Sequence, residues 1–582
     1  MKNKTLKRLA KMLKPQIKPI IIISILAIII SIGEVINPYL IKTVIDDYLS
    51  AGIYEKSFIT IGMIGTLYII IVIISNILNF IVTTATSMLG ENVVYSLRNK
   101  LYKHIQYANI PFHDKTPAGK LFVRMTSDVE DITSLFKDVV TSLVKDIIMI
   151  VVLVTIMLKL NWKLSLLALI IIPFVIFTSV VITKASKRFR EYSKNIRTEL
   201  NTFLAESIYG IKLIKIFNRQ YEKQKECEGL TDKLYKSRLP IAITEGLLPG
   251  IMLILQNLGI SIIIWSAVNK WFGIEVEVGI IYLFTTYIKQ IFDPINRLVE
   301  NYETVQESIV SINKIYDILE DKECLEDFES GKILDKVEGK IEFKHVWFAY
   351  KEGEWILKDV SFTINPGESI ALVGKTGSGK TTITNLINRF YDVQKGEILL
   401  DGENIKNINL RFLRKSIGII LQDPFIFARS IKDNIALNEN LSDEEIEKAI
   451  KLSSAEEFVN SLPEGMEEVS KERGNSYSAG QKQLLAFARI FAHKPRIFIL
   501  DEATANIDTH TESLIQKSVD RISKDKTSIF IAHRLSTIVN VDKIIVLDQG
   551  KIIEQGSHNE LLKNTEGYYA KLYNAYYSSL VS

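Results

Sequence analysis

Three apolar stretches without a single charged residue constrain this chain more than any other feature of its sequence. They run from Ser57 to Gly90, from Leu164 to Thr183 and from Gly246 to Asn269. A helix needs about 20 mostly apolar residues to cross a lipid bilayer, and each stretch supplies at least that length. The stretches therefore predict three membrane-spanning helices.

Three further stretches are apolar enough to span a membrane although they contain charges. The one from Ile20 to Tyr39 holds one acid, whose cost of about 3 kcal/mol is outweighed by roughly −0.5 kcal/mol for each Ile or Leu. The other two hold Lys145 with Asp146 and Lys289 with Asp293, and we expect these charges to form interior ion pairs, to lie at helix ends or to line a pathway. The charged residues are Glu34, Lys145, Asp146, Lys289 and Asp293. The six predicted helices are 20–39, 59–82, 139–158, 164–183, 246–269 and 278–297.

The distribution of Lys and Arg predicts the orientation of these six helices. Basic residues crowd the amino terminus and the segment from Lys184 to Arg238, and basic loops stay in the cytosol. Six spans then return the chain to the cytosol near residue 300, so that both termini are cytosolic. The connections after the second and fourth spans are two long intracellular loops with helical apolar spacing, which favours long helices that protrude from the membrane.

Composition excludes some classes of protein. The formal net charge of +4 is small for 582 residues and gives no support to nucleic-acid binding. The two cysteines, Cys227 and Cys324, lack the spacing of a metal site and are expected to be reduced thiols. The basic start runs into an apolar segment without a small-residue cleavage site, so a cleaved signal peptide is not expected.

The pattern of apolar and polar residues changes after residue 320. Short β-rich runs then alternate with helical patterns, which predicts an α/β domain with a largely parallel sheet. The sequence thus predicts a membrane all-α six-helix domain over 1–318, a charged linker over 319–338, and a cytosolic α/β P-loop NTPase domain over 339–582.

A glycine-rich segment between a predicted strand and a predicted helix reads GKTGSGKTT and fits the pattern G-x-x-x-x-G-K-[ST] from Gly374 to Thr381. Glycines let backbone N–H groups wrap phosphates closely, Lys380 supplies a positive charge to the β and γ phosphates, and the Thr381 hydroxyl can reach Mg²⁺. The segment therefore predicts a nucleotide site.

Two later strands end in polar residues that suit phosphate chemistry. The run RIFILDE ends in Asp501, placed to hold Mg²⁺, and Glu502, placed to orient an attacking water. In the run TSIFIAHR the apolar strand ends at His533, whose imidazole can hydrogen-bond the γ-phosphate or the water. On their own, a pair of acids or a single histidine would more often have a structural role. The presence of the phosphate loop in the same domain is what favours metal binding and catalysis here.

In this order, the motifs resemble those of an ATP-binding cassette (ABC) exporter half-transporter of the multidrug and lipid exporter type, and the resemblance covers nearly the whole chain. It implies catalytic roles for Glu502 and His533, a D-loop at Asp508, and two coupling regions with Gly119 and Gly210 near their turns. It implies ATP contacts, with Tyr350 stacking on adenine, at Tyr350, Gly374, Lys375, Thr376, Gly377, Ser378, Gly379, Lys380, Thr381, Thr382 and Gln422. It implies Mg²⁺ ligation by Thr381, Gln422 and Asp501.

One motif departs from the family pattern. The signature turn that usually reads Leu-Ser-Gly-Gly-Gln is here Tyr477-Ser478-Ala479-Gly480-Gln481. In this family the turn caps the ATP bound to the opposite nucleotide domain, so the resemblance implies a second half-transporter. It also implies that the phosphate of the ATP held by that partner is bound by Ser478, Ala479, Gly480 and Gln481. One interpretation is tolerated drift, in which the changed residues of the signature turn have no effect on function. The other, which we favour, is that this chain is the catalytically intact half of a heterodimer.

The resemblance implies ATP-driven export of a hydrophobic or amphipathic substrate, which is a drug, lipid or peptide, by alternating access. The Lys- and Ile-rich composition and the lack of a targeting sequence favour a bacterial plasma membrane. Membrane lipid is a further expected partner. An ATP-gated channel or regulator on the same scaffold is the alternative, and coupling of solute flux to hydrolysis distinguishes the two. A soluble cassette ATPase that acts on nucleic acid is opposed by the uncharged spans.

Overall fold

The computed structural model describes residues 2–49, 58–273, 276–322, 324–471, 474–501, 507–524, 526–531 and 538–581. The chain divides into two compact units, Met1–Gln106 with Thr116–Lys322 and Tyr107–Lys115 with Glu323–Ser582. The change of unit after residue 322 lies inside the predicted linker. The sequence did not predict that the segment Tyr107–Lys115 belongs to the second unit.

The first unit is built from helices. Five stretches among the described residues are long and apolar enough to cross a membrane, namely Lys14–Tyr48, Ile59–Gln106, Ala118–Leu160, Trp162–Tyr209 and Gln220–Val268. The helices are α1 (Lys2–Leu13), α2 (Ile17–Val44), α3 (Phe58–Gln106), α5 (Ala118–Met125), α6 (Ser127–Ser134), α7 (Thr141–Leu160), α8 (Trp162–Leu169), α9 (Ile172–Tyr209), α10 (Ile211–Ile216), α11 (Gln220–Val268) and α12 (Val278–Leu319). Single π-helical turns, Ile45–Leu49 and Leu135–Val140, follow α2 and precede α7.

Two of the predicted spans differ from the observed membrane-competent helices. The stretch 164–183 is divided between α8 and α9, because Pro173 lies in the first turn of α9 and a proline cannot donate the backbone hydrogen bond that would continue α8. The stretch 278–297 lies in α12, which is 42 residues long but is not among the five stretches above. Lys289, Gln290 and Asp293 interrupt its apolar run, and a sixth span stays a prediction.

The core of the first unit is apolar and lies between α2, α7, α8, α11 and α12. Phe284 and Tyr287 of α12 are fully buried there with Leu153 and Met157 of α7. The buried Tyr287 hydroxyl donates to the carbonyl of Val35 at 2.9 Å, which satisfies the one polar group of this ring.

The second unit contains two sheets. Its strands are β1 (Ile341–Ala349), β2 (Trp355–Ile364), β3 (Ser369–Val373), β4 (Lys395–Leu400), β5 (Glu403–Asn404), β6 (Ile417–Ile420), β7 (Ile497–Asp501), β8 (Thr527–Ile531), β9 (Lys543–Asp548) and β10 (Lys551–Gly556). One sheet has the antiparallel order β2-β1-β4-β5, and the other has the order β10-β9-β3-β8-β7-β6. In the second sheet all pairs except β9 with β10 are parallel.

Helices cover the parallel sheet, as the buried apolar runs of its central strands require. The helices of the second unit are α4 (Ile110–Lys115), α13 (Lys380–Ile387), α14 (Leu410–Ser416), α15 (Ile431–Ala436), α16 (Asp443–Leu452), α17 (Glu456–Asn460), α18 (Ala479–His493), α19 (Thr509–Ser523), α20 (His558–Lys563) and α21 (Tyr568–Val581). Those from α13 to α19, with α21, contribute buried residues to its two apolar cores. Side chains of β7 alternate between two cores, with Phe498 and Leu500 facing α18 and α19 and Ile497 and Ile499 facing the antiparallel sheet.

Candidate nucleotide site

The candidate site lies at the carboxyl edge of the parallel sheet, where four adjacent strands end. Ile531 of β8 pairs with Asp501 of β7 on one side and with Leu372 of β3 on the other. On the far side of β7, Ile420 of β6 pairs with Leu500. This register brings the residues that follow each strand to one edge, which is where ligands bind in open α/β sheets.

The loop between β3 and α13 has the form of a phosphate cradle. A Cβ atom at Gly374 would lie 2.2 Å from the carbonyl oxygen of Leu547, so only glycine fits there. Gly379, with φ of +107°, is the N-cap of α13 and adopts a conformation that favours glycine. The loop therefore presents backbone N–H groups and a helix N-terminus toward one point.

Two side chains of this loop suit a polyphosphate. The ammonium of Lys380 donates to the carbonyls of Gly374 at 2.7 Å and Lys375 at 3.1 Å, and the side chain is buried. The Ser378 hydroxyl oxygen is buried and has no hydrogen-bond partner among the described residues. A phosphate oxygen would give the Ser378 hydroxyl an acceptor and would lie next to the positive charge of Lys380, so the residues fit the nucleotide that the sequence predicts. Lys375, Thr376, Gly377 and Thr381 are exposed on the open side of the loop.

An aromatic residue lies beside the first turns of α13. Tyr350 is 45% exposed, and its hydroxyl donates to the Thr382 hydroxyl at 3.3 Å and accepts from the Asn385 amide at the same distance. Its ring packs edge-on against Phe348 and Tyr391 with centroids 4.9 and 5.0 Å away. The open part of the ring is thus held in a fixed orientation and is available for stacking on a base.

The predicted metal ligands come from different strands. Asp501 is the last residue of β7 and is half-buried, Gln422 follows β6 and is exposed, and Thr381 lies in the first turn of α13. The described residues hold no cluster of three or more His, Cys, Asp or Glu that could bind a metal by itself. A hydroxyl and a carboxylate that share an ion with phosphate oxygens are the donor set that Mg²⁺ takes in such sites, so these residues fit the ion.

Two predicted catalytic residues, Glu502 and His533, lie outside the described residues. Glu502 follows Asp501 directly, and His533 is two positions beyond Ile531 in the sequence. The predicted D-loop residue Asp508 caps α19, where its carboxylate accepts a hydrogen bond from Thr511 N at 2.9 Å. This bond lowers the pKa of Asp508 below its usual value.

The altered signature turn begins α18. Ser478 is the N-cap, its hydroxyl accepts from Gln481 N at 3.2 Å, and the Gln481 side chain accepts from Ser478 N at 2.8 Å. This reciprocal capping box fixes the helix start. Ala479 is exposed, whereas a Cβ at Gly480 would lie 2.3 Å from a methyl group of Thr511. Within this chain, therefore, alanine is tolerated at 479 and glycine is required at 480.

Tyr477 replaces the usual apolar residue without loss of packing. Its ring packs edge-on against Phe458 with centroids 5.3 Å apart, and its hydroxyl accepts a hydrogen bond from Ser470 at 3.2 Å. The polar tip of the larger side chain is thus satisfied.

Two residues of α18 connect the signature helix to the segment after β6, and the sequence analysis missed both. The buried Gln483 amide donates to the carbonyl of Gln422 at 3.0 Å. Arg489 donates to the carbonyls of Asn434 at 2.6 Å and Phe425 at 2.7 Å, and burial lowers the pKa of Arg489 to about 10. Polar residues inside the apolar run QLLAFARIF were the available signal.

A segment between α3 and α5 belongs to this second unit. Its helix α4 is held by the Tyr391 hydroxyl, which donates to the Asp114 carboxylate. Asn109 N donates to the carbonyl of Cys324 at 2.6 Å, and Glu326 N donates to that of Tyr107 at 2.8 Å. The segment begins just before the first predicted coupling region, and its contacts could not be read from the sequence.

In the first unit, three of the charged residues within the predicted spans, Glu34, Lys145 and Asp146, form pairs between helices. Lys145 of α7 donates to Glu34 of α2 at 3.0 Å and to Asn79 of α3 at 3.3 Å. Arg297 of α12 pairs with the buried Asp146 at 2.5 Å. Between the middle parts of α9 and α11 and the second half of α12, a cavity of about 690 Å³ has both charged and apolar walls.

Comparison with known proteins agrees with both halves of this description. Residues 20–295 match the family model of the ABC transporter transmembrane region, and residues 357–505 match that of the ABC transporter. A Bacillus subtilis (strain 168) protein named "Probable multidrug resistance ABC transporter ATP-binding/permease protein YheH" is 37% identical over 84% of this chain and 72% of its own length. An ATP-dependent lipid A-core flippase of Legionella pneumophila (strain Paris) is 33% identical over 90% of each chain.

A solved structure extends the likeness to the whole fold. The structure of a bacterial Atm1-family ABC exporter with ATP bound matches with a TM-score of 0.79 at 25% identity, over 97% of this chain and 98% of that one. A helical membrane unit fused to a P-loop unit defines an integral membrane protein that couples ATP hydrolysis to transport. The chain belongs to the ABC transporter family, and within it to the exporters whose single chain carries one transmembrane region and one ATP-binding domain.

Proposed function

We propose that this chain, paired with a second half-transporter, exports a hydrophobic or amphipathic substrate across a bacterial plasma membrane by alternating access. The substrate class is a drug, a lipid or a peptide, and the names of the multidrug and lipid A-core relatives support the first two. The observation that carries the proposal is the convergence of the phosphate loop, Asp501 and Gln422 at one edge of the sheet, in a chain whose described residues include five helices long and apolar enough to cross a membrane.

The chain's own residues divide the work at the nucleotide. Lys380 and the N–H groups of the loop after β3 bind the β and γ phosphates, and Tyr350 orients the base by stacking. Glu502 takes the proton of the attacking water, and His533 holds the γ-phosphate in line. Mg²⁺, held by Thr381, Gln422 and Asp501, would neutralise charge that develops on the phosphate oxygens.

The second half-transporter completes each site. The N-terminus of α18, which Ser478 and Gln481 fix, donates N–H groups to a phosphate held by the partner chain. The exposed methyl group of Ala479 stands in the first turn, where that phosphate would approach. This favours a heterodimer in which the site served by our chain's signature turn is the weaker one and the site built on Lys380 and Glu502 is the active one.

Orientation follows from charge. Lys and Arg at the amino terminus and along α9 and α11 favour a cytosolic location for both termini and for the nucleotide unit. Closure of the two nucleotide units around ATP then draws the coupling regions together and turns the helices from cytosol-facing to outward-facing. Hydrolysis resets them.

Transport in inside-out vesicles tests the proposal. The intact transporter, reconstituted with its partner subunit, should accumulate a fluorescent amphipathic dye or labelled lipid only while ATP is hydrolysed, and Lys380→Ala should abolish both activities. Lys351→Ala, an exposed lysine outside the loop, is the matched control. Flux that persists with bound but unhydrolysed ATP would instead support the ATP-gated channel, and absence of ATP hydrolysis in the reconstituted wild type would refute the exporter.

A further inference from the structure

The cavity of about 690 Å³ between α9, α11 and α12 has the size of a small-molecule site. Ligand sites in proteins range from about 300 to 1,000 Å³. Side chains of α9 and α12 form most of its wall, residues of α11 between 244 and 249 add to it, and Asp131 of α6 completes it. All four helices belong to the first unit, so this chain forms the cavity by itself. We call it the α9–α12 cavity.

One end of the α9–α12 cavity is apolar and lies where the predicted spans end at the cytosol. Ile182 of α9, Pro249 of α11 and Val299 of α12 line this end. They are within three residues of the predicted span ends at 183, 246 and 297. The apolar end is therefore at the cytosolic surface of the membrane.

The packing of the three helices supports a common depth for these residues. A Cβ at Gly259 of α11 would lie 2.9 Å from Ile171, directly before α9, and 3.5 Å from Ile288 of α12, so these three positions are level. Each of them is 10 or 11 residues from its counterpart at the apolar end, which is about 15–17 Å along a helix. The same step toward the cytosol on all three helices leads to one level.

The other end of the cavity is charged and lies beyond the predicted spans. Lys187 and Lys194 are four and 11 residues beyond the span end at 183, and Glu307 is 10 residues beyond the one at 297. At 1.5 Å per residue, their backbone positions are about 6–17 Å on the cytosolic side. Val310 is the apolar exception at this end. The cavity thus has the polarity of an amphipathic molecule, with its apolar end at the membrane.

Four of the eight charged residues that line the cavity already have partners. Arg190 pairs with Glu245 at 3.1 Å, and Lys314 pairs with Asp128, outside the lining, at 3.4 Å. The carboxylate of Asp131 accepts a hydrogen bond from a serine hydroxyl of α12 at 2.7 Å. These charges hold the walls of the cavity in place.

The other four lining charges, two of each sign, are exposed and have no ion pair with another described residue. They are Lys187, Glu191, Lys194 and Glu307. A ligand with a charge of one sign would meet like charges here as well as opposite ones. A zwitterion, which carries an ammonium and a phosphate or carboxylate, finds a partner for each of its groups. The balance of charge therefore favours a zwitterionic ligand.

We propose that the α9–α12 cavity binds a zwitterionic amphipathic molecule, and that this is the class of substrate that the chain takes up from the cytosol for export. The tail of the molecule lies at the apolar end. Its acidic group pairs with Lys187 and Lys194, and its ammonium pairs with Glu191 and Glu307. The role in export rests on the proposed function, whereas the binding itself does not.

Photoaffinity labelling without ATP tests the site. The intact transporter, with its partner subunit, is kept in an uncharged maltoside detergent with probes of equal tail length that carry a diazirine at the end of the tail. The probes are lysophosphatidylethanolamine, which is zwitterionic, lysophosphatidylglycerol, which is anionic, and an alkyltrimethylammonium. The zwitterionic probe should label the wild type most strongly, in peptides that contain Ile182, Pro249 or Val299. Competition by the same molecules without diazirine gives their relative affinities.

Two charge variants should change the preference in opposite directions. Lys187→Gln with Lys194→Gln should bind the zwitterionic probe about tenfold more weakly, because two charge-assisted contacts are lost, and should prefer the cationic probe. Glu191→Gln with Glu307→Gln should prefer the anionic probe. Unfolding temperatures equal to that of the wild type show that both variants are folded.

Matched controls change the same charges outside the cavity. Lys225→Gln with Lys233→Gln, on α11, and Glu199→Gln with Glu206→Gln, on α9, alter exposed residues that do not line it. Both should keep the wild-type preference for the zwitterionic probe. A shift in the controls as large as in the charge variants would show an effect of net charge alone and would overturn the site.

The remaining outcomes decide between the site and its role. Equal labelling by the three probes, or labelling outside α9, α11 and α12, overturns the site. Phosphoethanolamine that competes as well as the tailed molecule overturns the amphipathic part, because the apolar end would then contribute nothing. ATP-driven transport of amphipathic dyes without any preference for zwitterions would leave the proposed function in place and remove this substrate class. Selective labelling in a transporter that moves no substrate would support the site and count against the proposed function.

Discussion

The hydroxyl of Tyr391 donates a hydrogen bond to the carboxylate of Asp114, and so ties the short helix α4 to the nucleotide-binding unit. The ring of Tyr391 also packs edge-on against Tyr350, the predicted adenine-stacking residue, with centroids 5.0 Å apart. Tyr350 in turn bonds Thr382 of the phosphate-loop helix. A chain of direct contacts therefore runs from a segment that continues α3 to the residues expected to hold ATP.

Tyr391→Phe should weaken communication along these contacts. It removes the hydrogen bond to Asp114 but keeps the ring, so we expect nucleotide affinity to stay within about twofold, because the lost bond of about 1–2 kcal/mol does not touch the nucleotide. Substrate stimulation of ATP hydrolysis should fall several-fold. Asp114→Asn, which retains an acceptor oxygen for the tyrosine hydroxyl, is the conservative control. Unchanged stimulation in Tyr391→Phe would show that this bond only anchors α4.

Local patterns in the sequence were sufficient for some features and not for others. Charge-free apolar runs and the phosphate-loop spacing depend on neighbouring residues alone, and the structure has helices and a strand–loop–helix at those places. The break between α8 and α9 at Pro173 is also a local effect that the apolar count ignored.

Contacts between residues that lie far apart in the sequence could not be predicted from local patterns. Asp114 meets Tyr391 across 277 positions, and Arg489 finds its carbonyl partners about 55 and 64 positions away. The packing that makes glycine necessary at 480 comes from Thr511, which no local pattern indicates. The sequence also did not show that Ala479 is exposed, although this exposure means that its methyl group can affect a partner's surface and not the packing of this chain.

Glu502→Gln should separate ATP binding from ATP hydrolysis. The amide keeps the shape of the side chain but cannot accept the proton of the attacking water, and loss of a general base typically costs about 10²–10⁴-fold in rate. We expect steady-state hydrolysis to fall by at least the lower figure while Mg-ATP binding, measured by nucleotide fluorescence, persists. Glu456→Gln, an exposed acid at the start of α17, should leave the rate unchanged. Retained turnover in Glu502→Gln would remove that residue from its predicted role.

Gly480→Ala and Ala479→Gly distinguish the two glycine positions of the signature turn. The added methyl at 480 would lie 2.3 Å from Thr511, so we expect overpacking to cost about 1–3 kcal/mol and to lower the unfolding temperature. Ala479→Gly removes an exposed methyl, and its effect on stability should not exceed about 1 kcal/mol.

The same pair of variants bears on the heterodimer. If the methyl of Ala479 hinders the partner's phosphate, Ala479→Gly should raise the hydrolysis rate of the assembled transporter, because a second productive site is gained. An unchanged rate, measured with the partner subunit at saturation, would favour tolerated drift at this turn. An unfolding temperature of Gly480→Ala equal to that of the wild type would contradict the packing argument.

His104, near the end of α3, should make stability depend on pH. Its side chain is buried, and desolvation lowers the pKa of this imidazole below the unfolded value of 6.5, although the Asp321 carboxylate acts in the opposite direction. A pKa that is lower in the folded state means that the stabilising contribution is fully present above pH 6.5 and is lost as the pH falls through the folded value. The wild type should therefore lose unfolding temperature between pH 7.5 and the acidic side of 6.5 more steeply than His104→Gln. His510→Gln, which changes an exposed histidine, should follow the wild type. A slope in His104→Gln equal to that of the wild type would show that this imidazole is already charged in the folded chain, with Asp321 as the dominant influence.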